Sequence, residues 1–414
     1  MRRIFVTIAL LLTFISSQIT VARAQEHEPE VFCGSLDAED CQLLKDSAAA
    51  MQAVTSHQSK STLAIELQRV PALELGGETI DIRDATLEIY SERIYSLTDE
   101  TSRGLEILKK VDPSLISFAM LAAPETVWDI LAGVEAEWHF EFTLSENLRS
   151  YLSEQANDEI PDFMAITIRL INNVIYVNAD EFAESSGLPR NPNLKPWVAV
   201  DLTELMDKMA NEDAENAAMF SIGIGSLLSA LNQSNNLAKL YNDLQLLGEL
   251  NSELSPGEFV EINKARTRRI QGVNTASFET TTDTGAVGLW ATQVLQNLMF
   301  QLTPSPDEGA MAALMFLPGM ADGISFTSSQ YIDPDTAFVL EQQNKMVWRM
   351  APMAAAIRLA VQNDPYSPIK ILERNPRGPI LTITSTTSNS QFNEPLKLAT
   401  PKEVEQAPLD DLFR

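Results

Sequence analysis

Apolar and polar residues alternate along several segments of this chain, and this pattern limits the possible folds more than any other feature of the sequence. The clearest segment carries Trp138, Phe140 and Phe142 at every second position, which places the three rings on one face of a strand. The same pattern predicts further strands at 61–70, 80–90, 164–170, 174–178, 265–283, 323–342 and 379–388, and one more at 368–374. The chain therefore requires an extensive sheet.

Helical periodicity appears between these strands in clusters rather than in strict alternation with them. It predicts helices at 40–54, 105–122, 124–131, 145–155, 216–250, 286–302, 308–318 and 351–362, and one beginning near Asp201 or Thr203. Two of the strands are joined at Asn172 and Asn173, where Asn tolerates the positive φ of a tight hairpin turn. Clustered elements indicate the α+β class with an antiparallel sheet.

The first residues have the features of an export signal. Arg2 and Arg3 precede the apolar run Ile4–Ile15, and small residues at Ala22 and Ala24 suit a signal peptidase. Because the run is shorter than the roughly 20 residues that span a bilayer, a cleaved signal is favoured over a permanent anchor. The sequence therefore predicts a signal peptide at 1–24 and a secreted or extracytoplasmic protein of the periplasm or cell envelope.

The sequence contains two cysteines, Cys33 and Cys41. In an oxidising compartment two nearby cysteines bond most simply to each other, so a disulfide is predicted that fixes a local turn. The alternative is a lipidated Cys33, but Val31 and Phe32 before it do not form the small, apolar motif of a lipoprotein signal. The remaining chain has no linker rich in Pro, Gly or Ser. The predicted organisation is 1–24 signal peptide, 25–58 N-terminal segment with the disulfide, 59–403 one large domain, and 404–414 flexible tail.

Charge and motif content argue against several classes of function. A formal net charge of −27 repels nucleic acid and anionic lipid headgroups. The three histidines are predicted in separate places, His27 in a loose N-terminus, His57 at a helix end and His139 in a strand, so neither a zinc site nor a Ser-His-Asp triad is indicated. Phosphate loops and nucleophile elbows are missing from the sequence. No enzyme activity, cofactor or metal is predicted.

Several predicted helices carry almost no charge, which is unusual in so acidic a chain. The uncharged stretches are 217–231, 285–302, 309–321 and 350–356. They can be buried core helices, or they can line a lipophilic cavity, for which flexible Met and Leu side chains are suited. The second interpretation gives the candidate lining residues Leu227, Leu228, Leu231, Trp290, Leu295, Leu298, Met299, Met315 and Phe316.

Four segments in the same order resemble the LppX/LprG type of lipoprotein. They are Ile171–Asn178, the run Trp-Val-x-Val-Asp-Leu within Lys195–Thr203, the strand Arg269–Phe278 with its Gly-Val, and the ending Ser390–Pro401. The resemblance implies a strongly curved antiparallel sheet, a half-barrel akin to LolA and LolB, with helices packed in its concave face. It also implies that lipid, or the acyl chains of lipoproteins and glycolipids, lies between sheet and helices. The chain departs from this family in lacking the lipoprotein signal motif and in being longer.

Together these features predict a non-catalytic binding protein whose ligand is a lipid or an acylated molecule. The alternative is a sensor or interaction module of the same fold, with a filled core that docks a membrane protein or another protein partner. The two hypotheses differ in whether an apolar surface remains available between sheet and helices. Neither predicts nucleic-acid binding or an integral membrane protein.

Overall fold

The computed structural model of the chain describes 31–70, 73–75, 78–80, 83–109, 124–156, 159–187, 195–212, 259–286, 288, 321, 323–351 and 378–406. The predicted signal peptide, the predicted strand at 368–374 and most of the uncharged stretches lie outside these residues.

Most predicted elements are present, some with shifted ends. The helices are α1 (Ala38–Gln52), α2 (Asp99–Lys109), α3 (Pro124–Ala132), α4 (Glu146–Ala156), α5 (Ala179–Ser186) and α6 (Leu202–Glu212). The strands are β1 (Ser56–Gln68), β2 (Leu73–Leu75), β3 (Glu78–Ile80), β4 (Ala85–Leu97), β5 (Val134–Leu144), β6 (Phe163–Ile171), β7 (Val174–Asn178), β8 (Trp197–Asp201), β9 (Val260–Lys264), β10 (Arg268–Ile270), β11 (Val273–Thr282), β12 (Ile324–Ile332), β13 (Val339–Arg349), β14 (Ile380–Ser390) and β15 (Val404–Gln406).

Within the described residues, 13 of these strands form one open sheet, in the order β10-β11-β12-β13-β14-β1-β4-β5-β6-β7-β8-β15, with β9 also paired to β11. Every pairing in the sheet is antiparallel except that of β15 with β8. Strands β2 and β3 form a separate hairpin. The α+β class with a curved, mainly antiparallel sheet, predicted from the sequence, is confirmed.

The predicted hairpin between β6 and β7 is also confirmed. Asn172 and Asn173 form its turn with φ of 52° and 63°, the left-handed values that Asn tolerates better than most residues. The start of α6, which was also predicted, likewise depends only on neighbouring residues. The Asp201 carboxylate accepts hydrogen bonds from the backbone N–H groups of Thr203 at 2.9 Å and Glu204 at 3.2 Å, so Asp201 caps the start of α6.

The N-terminal segment is fastened to the far edge of the sheet. Cys33 and Cys41 form the predicted disulfide, with their Cα atoms 5.3 Å apart. Asp37 caps α1 by accepting a hydrogen bond from the N–H of Asp40 at 2.9 Å. The largely buried Asp40 carboxylate in turn receives the Lys264 ammonium of β9 at 2.7 Å. The disulfide therefore fixes the turn that directs α1 toward β9.

Replacing both cysteines by serine should lower the free energy of unfolding by about 2 kcal/mol, because the bridge closes only a short loop in the unfolded chain. Thermal unfolding of the two proteins measures the loss. Adding a reductant should lower the melting temperature of the parent and leave that of the double variant unchanged. A melting temperature that is equal in both proteins would show that the bridge adds no stability.

The described hydrophobic core lies at one end of the sheet, under α1 and α3. One cluster of buried residues contains Leu44 and Met51 of α1, Phe278 of β11, Leu131 of α3 and Leu170 of β6. Phe278, Leu131 and Leu170 are fully buried. The two helices thus cover one end of a single sheet face.

Several boundaries differ from the prediction, and three regions of difference affect the arguments below. Strand β1 begins at Ser56, so the predicted division at 58/59 falls inside a strand, and His57 lies in β1 rather than at a helix end. Strand β4 continues to Leu97 instead of ending at Tyr90. In the predicted tail, Val404–Gln406 form β15, because their backbone groups pair with the edge strand β8.

Candidate functional site

One face of the sheet is apolar well beyond the part that α1 and α3 cover; we call it the apolar face. Paired residues of adjacent strands lie on the same face, so the strand register defines its rows. One row crosses six strands and consists of Phe326, Met346, Ile383, Ile65, Leu87 and Leu144. The row on one side of it consists of Ile324, Trp348, Leu381 and Leu67. The row on the other side consists of Leu63, Ile89, Phe142 and Met164. All but Leu144 remain partly exposed.

The opposite face, which we call the polar face, carries charged and hydroxyl side chains at the intervening positions. Lys60 on β1 pairs with Glu92 on β4 at 2.7 Å, and this contact lowers the pKa of the Glu92 carboxyl. His139 on β5 lies 3.2 Å from Glu141 and 3.3 Å from Glu181 of α5. The sequence thus places the charges of these strands on one side and the aliphatic and aromatic groups on the other.

A partly buried cation, Arg93, interrupts the apolar face between its partly exposed rows and the core that α1 and α3 cover. Arg93 follows Leu87, Ile89 and Ser91 at alternate positions of β4, so it lies on the apolar face. Its Nη2 is 3.3 Å from His57 Nε2, and its guanidinium carbon is 5.7 Å from the ring centroid of Tyr95. We call these three residues the Arg93 cluster.

Burial governs the protonation states in the Arg93 cluster. Desolvation, assisted by the positive charge of Arg93, lowers the pKa of His57 to about 3, so its imidazole is neutral at pH 7. Desolvation also lowers the pKa of Arg93, yet a guanidinium keeps its charge at neutral pH. Because Arg93 can only donate, His57 Nε2 accepts and the imidazole proton resides on Nδ1. The cluster holds a net positive charge.

The nine predicted lining residues cannot be placed against this geometry, because all of them lie outside the described residues. The disulfide cysteines are described and bonded as predicted. In the described part of the chain, no group of three His, Cys, Asp or Glu residues is arranged to hold a metal ion. No helix among the same residues is long and apolar enough to cross a membrane.

Sequence reasoning did not identify the Arg93 cluster. The predicted strand ended at Tyr90, three residues before the arginine, so the face on which Arg93 lies was not considered. A signal did exist, since the alternation that begins at Leu87 and Ile89 continues through Arg93 to Tyr95. A cation at an inward position of an alternating strand is rare enough to indicate a functional group.

A second concave feature lies at the edge of the sheet formed by β8 and β15, opposite the edge at β9, and has a different character. It is an open cleft of about 540 Å³ beside α5 and the start of β8. Its lining residues are Asn178, Asp180, Glu181, Glu184, Ser185, Pro196 and Trp197. The carboxylates make this cleft acidic and unsuited to an apolar ligand.

Comparison with known proteins returned distant structural likenesses. The crystal structure of lipoprotein LppX from Mycobacterium tuberculosis has 11% sequence identity and a TM-score of 0.25, covering 87% of this chain and 100% of that chain. A DUF1329 family protein from Desulfovibrio piger has 8% identity and a TM-score of 0.17, covering 86% of this chain and 94% of that chain. No family model and no curated protein matches the sequence. The chain is thus similar to the lipoprotein type named from its motifs, at a distance where the likeness carries no argument about function.

Proposed function

We propose that this chain is an extracytoplasmic carrier that holds a lipid or an acyl chain on the apolar face, without catalysing a reaction. The observation that supports this most directly is the set of partly exposed apolar rows on one side of a sheet whose other side is charged. A contiguous apolar surface of this extent is rare on a soluble monomer and marks a binding site. The apolar surface is wide because its rows cross several strands, and neighbouring strands are about 4.8 Å apart.

Affinity in such a site comes from removing acyl surface from water, at about 25 cal/mol per Å². The apolar rows require no hydrogen-bonding partner from a hydrocarbon chain, and Met346 and Met164 can adapt to chains of different shape. We propose that the candidate lining residues of the uncharged stretches 217–231, 285–302 and 309–321 add further apolar contacts to the ligand. The strongly negative charge of the chain keeps the loaded carrier in solution.

The disulfide supports the proposed location. Disulfides persist in oxidising compartments and are rare in the cytosol. The Cys33–Cys41 bridge therefore agrees with an exported protein whose signal peptide is removed.

Adjacent residues of one strand provide the test. Leu63 lies on the apolar face of β1 and Thr62 on the polar face, so Leu63→Glu and Thr62→Glu add the same charge on opposite sides. Leu63→Glu should weaken binding of a fluorescent fatty acid at least tenfold, which corresponds to about 1.4 kcal/mol of binding free energy. The reason is that the added carboxylate would be buried against the acyl chain. Thr62→Glu should leave binding unchanged. Titration of each purified, folded variant with the fluorescent fatty acid measures both affinities.

A second pair on β13 makes the test independent of β1. Met346 lies on the apolar face and the exposed Lys345 on the polar face. Met346→Glu should weaken binding and Lys345→Glu should not. Equal affinity in all four variants, or no binding by the parent protein, would contradict the carrier and favour a module that docks a protein partner. Native mass spectrometry with lipid extraction of the parent protein would identify a cargo that copurifies.

A further inference from the structure

The position of Arg93 on the apolar face defines an orientation for the proposed ligand. Arg93 lies four positions along β4 from Ile89, a span of about 13 Å toward the partly exposed rows. On the other side of Arg93, Tyr95 is 4% exposed and belongs to the hydrophobic core that α1 and α3 cover. Arg93 thus lies between the partly exposed rows of the apolar face and the part of that face that α1 and α3 cover.

The charge of Arg93 lacks a carboxylate partner in the described part of the chain. Its contacts are the neutral imidazole of His57 and the ring of Tyr95. The Arg93 Nε atom is buried and has no hydrogen-bond partner there. In contrast, Arg169 on the polar face forms an ion pair with Glu137. A partly buried guanidinium whose Nε atom is shielded from water is rarely left without a counter-charge unless it has a function.

The second orphaned atom in the cluster is also a donor. His57 Nδ1 carries the imidazole proton, is buried, and has no acceptor among the described residues. The aromatic rings of Tyr95 and Phe392 flank this imidazole, with centroids at 4.5 Å and 6.0 Å. The cluster therefore has donors and positive charge in excess, and an acceptor anion is the chemical group that would complete it.

We propose that Arg93 binds the anionic head of an amphiphile whose acyl chain lies along the apolar face toward Ile89 and Leu87. This inference rests on the proposed carrier function and narrows its ligand to lipids with a carboxylate or a phosphate. Either group accepts two parallel hydrogen bonds from a guanidinium. Elsewhere the acidic chain repels anions, so the head is recognised at this inward cation rather than at the surface.

Two ligands with the same acyl chain but different heads separate the contribution of the head to the binding affinity from that of the chain. We expect the parent protein at pH 7.5 to bind palmitate at least tenfold more tightly than methyl palmitate, each below its aggregation concentration. Arg93→Met should remove this preference while keeping the affinity for methyl palmitate. Arg169→Gln, the control on the polar face, should keep the preference. Isothermal titration of the intact mature protein gives all the affinities.

The stability of the ligand-free protein provides a second readout. Because Arg93→Met removes a desolvated charge that has no counter-charge among the described residues, the variant should melt at or above the temperature of the parent. A residue that only supports the fold would lower the melting temperature on replacement. Arg93→Lys should retain part of the preference for palmitate, since it keeps the charge but loses the planar fork.

The outcomes distinguish this inference from the carrier proposal. Binding of methyl palmitate without any preference for palmitate, or a preference that persists in Arg93→Met, would overturn the inference and leave the carrier intact. Failure to bind either ligand would overturn both. Replacing palmitate by hexadecyl phosphate, which has the same number of carbon atoms, identifies the head: tighter binding of the phosphate indicates a phospholipid, and tighter binding of the carboxylate indicates a fatty acid. Inorganic phosphate alone should not compete, and competition would show a free-anion site instead.

Discussion

Lowering the pH from 7 to 4.5 should cost the parent protein about 3 kcal/mol of unfolding free energy that a His57→Gln variant does not lose. The pKa of His57 is about 3 in the folded protein, because burial and Arg93 disfavour the imidazolium, and 6.5 in the unfolded chain. Between these values the unfolded state binds a proton that the folded state does not. The stabilisation is therefore complete above pH 6.5 and is lost progressively as the pH falls toward 3.

Urea unfolding at a series of pH values measures this effect as a difference between the two proteins. Glutamine keeps an acceptor for Arg93 and does not titrate, and the many carboxylates of the chain contribute equally to both curves. His139 also remains in both proteins. A constant difference between the proteins from pH 7 to 4.5 would mean that His57 titrates normally when folded, and that the Arg93 cluster is open to water.

Replacing Phe278 by Ala should reduce the unfolding free energy by about 3–5 kcal/mol. Phe278 lies on β11, is fully buried, and belongs to the cluster that joins α1 to the sheet. Removing its ring leaves a cavity in this cluster that α1 and the strands cannot fill without moving. Equilibrium unfolding in urea at pH 7.5 measures the loss.

Phe163 provides the matched control for this substitution. It is a phenylalanine on a strand of the same sheet, but it is 39% exposed at the start of β6. Phe163→Ala removes the same atoms with less loss of packing, so we expect a change within about 1 kcal/mol. If both variants lost equal stability, the end of the sheet under α1 would not be the core of the protein.

Local chemistry explains which parts of the fold could be predicted from the sequence. The turn at Asn172 and Asn173 and the cap at Asp201 depend on neighbouring residues only, and both are confirmed. The aromatic alternation of β5 likewise placed Trp138 and Phe142 on one face, as the register shows. Each of these signals lies within a window of a few residues.

Other features depend on partners that are distant in the sequence. Strand β4 extends to Leu97 because β1 and β5 offer backbone groups along its whole length, which overrides the charges at Glu92 and Arg93. Strand β15 forms because β8 presents an unpaired edge. The alternation from Leu87 to Tyr95 indicated the face on which Arg93 lies, but the contact of Arg93 with His57 depends on the distant pairing of β1 with β4. The candidate lining residues at 227–231, 290–299 and 315–316 remain predictions.

The central pairing of the sheet has a consequence for the timing of folding. Strand β1 pairs along its length with β14, as in the contact between the Ser61 and Thr387 hydroxyls, 326 positions apart in the chain. A chain synthesised from its N-terminus cannot complete this pairing until β14 has been made, and contacts of such sequence separation form slowly. Slow assembly of the sheet leaves the polypeptide extended for longer, as the proposed export of this chain would require.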